Sequence, residues 1–477
     1  MLEPRKVFSF FKAISDIPRG SGNEAAVAKF VYDTATAAGH HAVIDSANNV
    51  FVSAAATCGY EAHEPIMLQG HLDMVCEANR AVQHDFLTDP IKLVLDGDIL
   101  HADGTTLGAD DGVAVAIMLA ILTSDDVPHP ALECLFTTEE ETGLTGMRTF
   151  DPAALGMKSR RLINLDSAGE GMATVSCAGG VRSHVYFKKR QSELRDEQYS
   201  TLNVSIGGLF GGHSGEDINL GRLGAVAAFA RIMYSAMKVC DVRISDISGG
   251  SRDNAIPREC SANAAVADKD AFIAAVRAEE EKLRHELVSD DAGFTVKITE
   301  NDCNSFLSSD DSQKLINLLR VLPNGVKNMC MEIPGLVETS SNVGVIRENE
   351  NSIEIVVSSR SSVSSRLDDL QALIESAAAL TGASVEHIGR YPGWDFVSGS
   401  PMQTLYLETY KKLFNAPAEI IGIHAGLECG LLKGKVPDMD MISIGPDVRH
   451  LHSPDERLSV SSLARLYLLT CTMLKNA

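Results

Sequence analysis

Two apolar runs of this 477-residue chain end abruptly in ionisable side chains, and those junctions restrict its fold more than any other feature. Residues 65–68 lead into Gln69-Gly70-His71-Leu72-Asp73, and residues 132–136 lead into Thr137-Thr138-Glu139-Glu140-Glu141-Thr142-Gly143. Short uninterrupted apolar runs suit strands buried on both faces. Three adjacent carboxylates at the exit of such a strand repel one another, and holding them near a core is costly unless a cation lies among them. In His71-x-Asp73 both side chains fall on one side of an extended segment, because strand side chains alternate. A neutral imidazole can ligate a metal while its other ring nitrogen meets a carboxylate two residues on.

The length exceeds one ordinary hydrophobic core, so two domains are expected. Hydrophobic residues make up 45% of the chain, as in soluble globular proteins. A formal net charge of −22 disfavours nucleic acid and anionic membrane as partners. The 10 cysteines are scattered with no C-x-x-C pair, which argues against a zinc finger or a thioredoxin-like site and for reduced thiols in a cytoplasmic protein. The stretch through Lys6 leads into an amphipathic segment rather than a signal-peptide core. The longest strongly apolar stretch, residues 113–122, is too short to span a bilayer.

Pro4 opens a first helix, and Ser21 or Asn23 is expected to cap a second over residues 24–38. Asn48-Asn49 marks a hairpin. Strand 65–70, helix 112–123, strand 131–137 and strand 162–165 then alternate, which indicates an α/β layer with a mostly parallel sheet. Sites in such sheets lie beyond the C-terminal strand ends, where His71, Glu140 and Asp166 all fall. From about residue 187 the pattern turns to strand, helix, strand, twice over, as in two similar α+β units. The expected organisation is a catalytic domain in two parts, residues 1–186 and 396–477, interrupted by a lid domain over residues 187–395.

Gly108-Ala109-Asp110-Asp111-Gly112 precedes the 113–122 helix. An ordinary N-cap accounts for Asp110 or Asp111, but not for so long a loop of Gly and Asp. The phosphatase pattern D-x-D-G-T fails here, because His101 stands at its nucleophile position. Asp166 taken alone fits a turn, and His452 taken alone fits a surface loop. As a set, two His and several carboxylates on strand-end loops make an N/O donor group without thiolate, which suits Zn²⁺, Mn²⁺ or Co²⁺.

His71-Leu72-Asp73, Gly108-Ala109-Asp110-Asp111-Gly112, Glu140-Glu141-Thr142-Gly143, Asn164-Leu165-Asp166 and His452-Ser453-Pro454-Asp455-Glu456 occur in an order that resembles the M20 metallopeptidases. Gly211-Gly212-His213-Ser214-Gly215 and His424-Ala425-Gly426-Leu427-Glu428 narrow the likeness to the bacterial aminoacyl-histidine dipeptidases. The resemblance spans nearly the whole chain. It implies two divalent ions, with zinc expected and cobalt or manganese as alternatives, about 3.5–4 Å apart and bridged by Asp110. It further implies His71 and Asp166 on one ion, and Glu141 and His452 on the other. Glu140 would be the general base and Asp73 the residue that orients His71. By similarity His213 would hold the oxyanion, Asn254 would make a polar contact, and Arg360 would bind a terminal carboxylate, with the lid closing over the substrate. His424 and Glu428 stand four apart, as on one helix face. A metal pair, a structural hydrogen bond and a substrate-side role are all compatible with that spacing, and a contact to the free amino group of the substrate is the expectation adopted.

The function that the resemblance implies is hydrolysis of small dipeptides, Xaa-His and β-alanyl-histidine included, by a monomer or homodimer. The alternatives are an M20-type aminopeptidase or N-acyl amino acid amidohydrolase, and a non-catalytic metal- or peptide-binding relative.

Overall fold

The computed structural model describes residues 2–194 and 198–477. It divides into two compact units, one of residues 1–176, 394–422 and 427–477, the other of residues 177–393 and 423–426. The expected boundary at 186/187 falls inside the strand Gly179–Lys188, which is paired along its length with Ser352–Ser361 of the second unit. Pairing between strands so far apart in the chain leaves no mark on local composition.

In the first unit an eight-stranded sheet runs in the order His41–Ile44, Val50–Ala54, Leu132–Thr137, Ile66–His71, Arg161–Asn164, Asp440–Ser443, Met172–Cys177, Glu419–Ile423. Its four middle strands, Leu132–Thr137 to Asp440–Ser443, are mutually parallel. The hairpin at Asn48-Asn49 joins them antiparallel on one side, and Met172–Cys177 does so on the other. Ile66–His71 and Leu132–Thr137 are buried at every residue, as continuous apolar runs in a doubly covered parallel sheet should be. The helix Ala109–Leu122 is apolar on all sides and correspondingly buried, packing on Ile66–His71 and on the helix Arg5–Ser15. Parallel pairing brings the C-terminal ends of three strands to one edge, where His71 lies in register with Thr137 and Gln69 with Asn164.

Local capping expectations fail at two places, both on this edge. The helix Ala25–Ala37 starts after Glu24 without a side-chain cap; Ser21 instead donates to Asp73 Oδ2 at 2.7 Å. The helix Ala109–Leu122 starts at Gly108, and neither Asp110 nor Asp111 caps it; both depart from helical backbone angles.

The second unit carries a nine-stranded antiparallel sheet. Its main path runs Thr295–Glu300, Ser200–Gly207, Cys260–Val266, Val242–Gly249, Val337–Glu348, Ser352–Ser361, Gly179–Lys188, Ser384–Tyr391, and Gly325–Met329 pairs with Val337–Glu348. The two α+β runs seen in the sequence therefore merge. Val242–Gly249 meets Val337–Glu348 through Ser248 opposite Arg347 and Gly249 opposite Ile346. Side chains of Ala225–Ala236, Lys269–Glu286, Ser309–Val321 and Ser364–Thr381 share one core with the sheet.

Gly70 shows how tightly the site edge is built. A Cβ there would lie 2.4 Å from both Ala114 Cβ and Asp111 Oδ2. Gly70→Ala is expected to destabilise the first unit by about 1–3 kcal/mol through overpacking. Thermal unfolding followed by circular dichroism should show a midpoint several degrees lower.

Candidate metal centre

His71 ends its strand with the imidazole almost wholly buried. Its Nε2 lies 3.1 Å from Asp110 Oδ1 and 3.6 Å from Asp166 Oδ1. Its Nδ1 lies 3.3 Å from Asp73 Oδ1, out of line for a hydrogen bond. His452, from a loop 342 positions away from Asp110, places Nε2 3.2 Å from Asp110 Oδ2 and 3.1 Å from Glu141 Oε2. The two oxygens of Asp110 therefore face two different imidazoles. Donor atoms of His71, Asp110 and Asp166, of Asp110, Glu141 and His452, and of His71, Glu140 and Glu141 each group within 4.8 Å of one another. The residues expected as ligands from the sequence, His71, Asp110, Glu141, Asp166 and His452, are thus brought together.

The carboxylates at this edge fall into two kinds. Asp73 is fully buried and accepts the Glu140 amide at 3.0 Å, the Glu141 amide at 3.3 Å and the Ser21 hydroxyl. Burial opposes its charge, but His71, Ser21 and the Glu140 amide outweigh that and hold its pKa at about 2. Asp111 accepts the His71 amide at 3.1 Å. Glu456 accepts the amides of Leu107, Gly108 and Ala109 at 2.8–3.0 Å and that of Asp110 at 3.4 Å, clamping the loop that carries Asp110. Arg19 braces the same loop from the other side, donating to the carbonyls of Leu72, Asp73 and Gly108.

Asp110, Asp166, Glu140 and Glu141 differ: among the described residues no backbone amide donates to their carboxylates, and Glu141 Oε1 is buried without a hydrogen-bond partner. Burial, reinforced by Asp110 and Glu141, pushes Asp166 up to about 6, with His71 opposing. Burial with Asp166, Glu428 and Glu141 lifts Glu140 well above the usual carboxylate range. Hydrogen bonds to Asp110 and Glu141 raise His452 to about 10. A pocket whose acids repel one another and stabilise protons on imidazoles has a negative potential that favours any cation. With nitrogen and oxygen donors, no thiolate and an orphaned carboxylate oxygen, the residues fit a pair of divalent ions.

The remaining predicted residues divide between the units. In the second unit His213 lies on a two-residue strand paired with Ala255. Its Nδ1 accepts the Glu216 amide at 3.2 Å, and burial with Arg360 nearby lowers its pKa. A neutral His213 thus carries its proton on Nε2 and presents a donor. Asn254 is exposed; its carbonyl accepts the Ser214 amide. Arg360 Nη1 donates to Tyr391 Oη at 3.5 Å, its Nε is buried without a partner, and it forms no ion pair among the described residues. His424 is buried, shares a 2.7 Å hydrogen bond with Ser340 Oγ, and is pushed down to about 3 by burial and by Arg360.

His424 and Glu428 do not share a helix. The helix is Glu428–Lys435, so His424 precedes it and belongs to the second unit while Glu428 belongs to the first. Glu428 is wholly buried and binds Gln69 Nε2 at 2.5 Å and Thr137 Oγ1 at 2.7 Å. Sequence reasoning also missed Ser21, Arg19, Gln69 and the role of Glu456, whose partners lie far off in the chain; only the placing of Glu456 in a polar loop hinted at a use.

The sequence pattern of peptidase family M20/M25/M40 matches residues 67–476. The chain is 38% identical over 480 residues to the cytosol non-specific dipeptidase of Escherichia coli (strain K12), covering 99% of this chain and 98% of that protein. The crystal structure of aminoacylhistidine dipeptidase from Vibrio alginolyticus matches with a TM-score of 0.94 at 35% identity, over 100% of this chain and 97% of that one. Aminopeptidase PepT from Bacillus cereus shares the fold at a TM-score of 0.58 and 14% identity, over 99% and 98% of the two chains. A family pattern covering most of the chain, with full-length likeness at this level, establishes that the chain belongs to peptidase family M20/M25/M40.

Proposed function

We propose that this chain is a di-metal dipeptidase that hydrolyses small dipeptides, Xaa-His peptides and β-alanyl-histidine among them, in the cytosol. The observation that carries this reading is Asp110, whose two carboxylate oxygens face His71 and His452 separately, as a bridge between two ions requires. The dipeptidase names of the two similar full-length proteins support the substrate class, and the cytosolic one supports the compartment. Among the described residues no helix is long and apolar enough to cross a membrane.

In this reading His71, Asp166 and Asp110 would hold one ion, and Asp110, Glu141 and His452 the other, with zinc the expected metal; ions bound there would supply Lewis acidity and lower the pKa of water. Glu140 takes a proton from the attacking water and returns it to the departing amine. Burial, with its acidic neighbours, raises its affinity for that proton, which suits a group that must accept one and then give it up. Asp73 keeps its charge against burial through His71, the Ser21 hydroxyl and the Glu140 amide, so it holds the His71 ring rather than competing for water. His213 Nε2–H stabilises the oxygen that becomes negative as the amide carbon turns tetrahedral. Arg360, a guanidinium with no carboxylate partner of its own among the described residues, receives the terminal carboxylate of the dipeptide.

Glu140→Gln should lower hydrolysis of β-alanyl-histidine by about 10²–10⁴-fold while metal content stays at wild-type level. Ninhydrin or chromatographic assay with metal analysis checks both; turnover near wild type would remove Glu140 from the reaction. Chelation should abolish hydrolysis, and readdition of Zn²⁺, Co²⁺ or Mn²⁺ in turn should restore it, with two equivalents bound per chain by titration. Arg360→Ala should raise KM for free dipeptides by about ten- to a hundredfold, the loss of one charge-assisted contact of about 1.5–3 kcal/mol. KM for the matching dipeptide amides, which lack the carboxylate, should stay unchanged.

A further inference from the structure

One buried ionisable group at this edge has no part in the reaction just described. Glu428 opens the helix Glu428–Lys435 and is wholly inaccessible. Its Oε2 accepts from Gln69 Nε2 and Thr137 Oγ1, and its Oε1 is buried with no hydrogen-bond partner among the described residues. From Gln69 the hydrogen bonds continue sideways. Gln69 Oε1 accepts from Asn164 Nδ2 at 2.6 Å, and Asn164 Oδ1 accepts from the Ser443 hydroxyl and from the Asp166 amide at 3.2 Å. Thr137, Gln69, Asn164 and Ser443 come from four adjacent parallel strands, with Gln69 in register with Asn164 and Asn164 with Ser443. All four are buried.

Because strand side chains alternate, Gln69 lies two residues beneath His71 on one face, and Asn164 lies two residues before Asp166. A polar tier therefore underlies the donor tier. Glu428 is its only charged member, and a carboxylate costs desolvation that simple packing would not demand.

We propose that Glu428 is a positioning residue for the metal centre. Its carboxylate locks Gln69 and Thr137, and through Asn164 the backbone that carries Asp166, so that His71 and Asp166 are held ready for an ion. Groups behind metal ligands commonly set affinity in this way. The inference rests on the di-metal reading, yet its test does not depend on dipeptide turnover.

Zinc affinity of the full-length chain is measured by competition with a chromophoric chelator, alongside kcat and KM for β-alanyl-histidine. Glu428→Leu removes the acceptor at similar volume; it should weaken at least one zinc site by about ten- to a hundredfold and lower kcat at saturating zinc, with KM near wild type. Glu428→Gln keeps a carbonyl oxygen for both donors and should recover zinc affinity to within about threefold of wild type, a rescue estimated from the retained acceptor geometry. Thr137→Val removes one donor and should shift zinc affinity in the same direction, which keeps the proposal testable if Glu428→Leu does not fold. Wild-type zinc affinity in Glu428→Leu, or in Thr137→Val should Glu428→Leu not fold, overturns the proposal. So does a raised KM with zinc affinity unchanged, which assigns Glu428 to the substrate instead. A wild-type chain that binds two zinc ions but cleaves no dipeptide would defeat the dipeptidase reading and leave this inference standing.

Discussion

Mutual repulsion among Asp110, Asp166, Glu140 and Glu141 is the constraint on which the first unit turns. Four partly buried carboxylates, the buried His71 and the exposed His452 are gathered beside the C-terminal ends of the parallel strands, in groups whose donor atoms lie within 4.8 Å of one another. Such a cluster is unfavourable as a set of free charges, because like charges at a few ångströms in a weakly polar medium cost more than surface ion pairs return. The fold must therefore oppose the tendency of these groups to spread apart. It does so from behind, with rigid strands, and from the sides, with fixed loops.

The bracing is covalently distant and chemically specific. Glu456 gathers the amides of residues 107–110 into one carboxylate, while Arg19 ties the carbonyls of Leu72, Asp73 and Gly108 together. The two ion-facing loops are thereby joined through one guanidinium. Asp73 performs a similar service for the amides of Glu140 and Glu141, so the residue beside His71 also sets where the acids of the other loop begin. Burying these charged braces is tolerable because each meets several donors or acceptors at once.

What could be read in the sequence follows from this division. His71, Glu140, Glu141 and Asp166 are legible because each follows an apolar strand directly, and an acid or imidazole at such a junction breaks the pattern. The parallel centre of the sheet is legible for the same reason, in its alternating strands and helices. Ser21 is not legible, since a Ser in a Gly-rich break ordinarily caps the helix behind it; a carboxylate 52 positions away wins its hydroxyl. Gln69 and Asn164 look like ordinary polar residues at strand ends until pairing places them side by side. The second unit was legible as strand and helix content, but the short join of its two halves through Ser248 and Gly249 depends on three-dimensional pairing with no local signature. Spacing misled at His424 and Glu428, where a four-residue interval straddles the start of a helix rather than lying within it.

The partners of each carboxylate sort it by use. Asp73, Asp111 and Glu456 accept backbone amides and so fix the loops around the site, although burial still raises the pKa of Asp111 and Glu456. Among the described residues Asp110, Asp166, Glu140 and Glu141 have no amide donors; His71 and His452 favour the charge of Asp110, while burial disfavours that of Asp166 and Glu140, so a cation among them would supply the compensation. Glu428 stands between the two kinds, with one oxygen doubly satisfied by side chains and the other bare. Its position below the donor tier, on side chains that reach Asp166 through Asn164, makes it part of the frame rather than of the reacting surface.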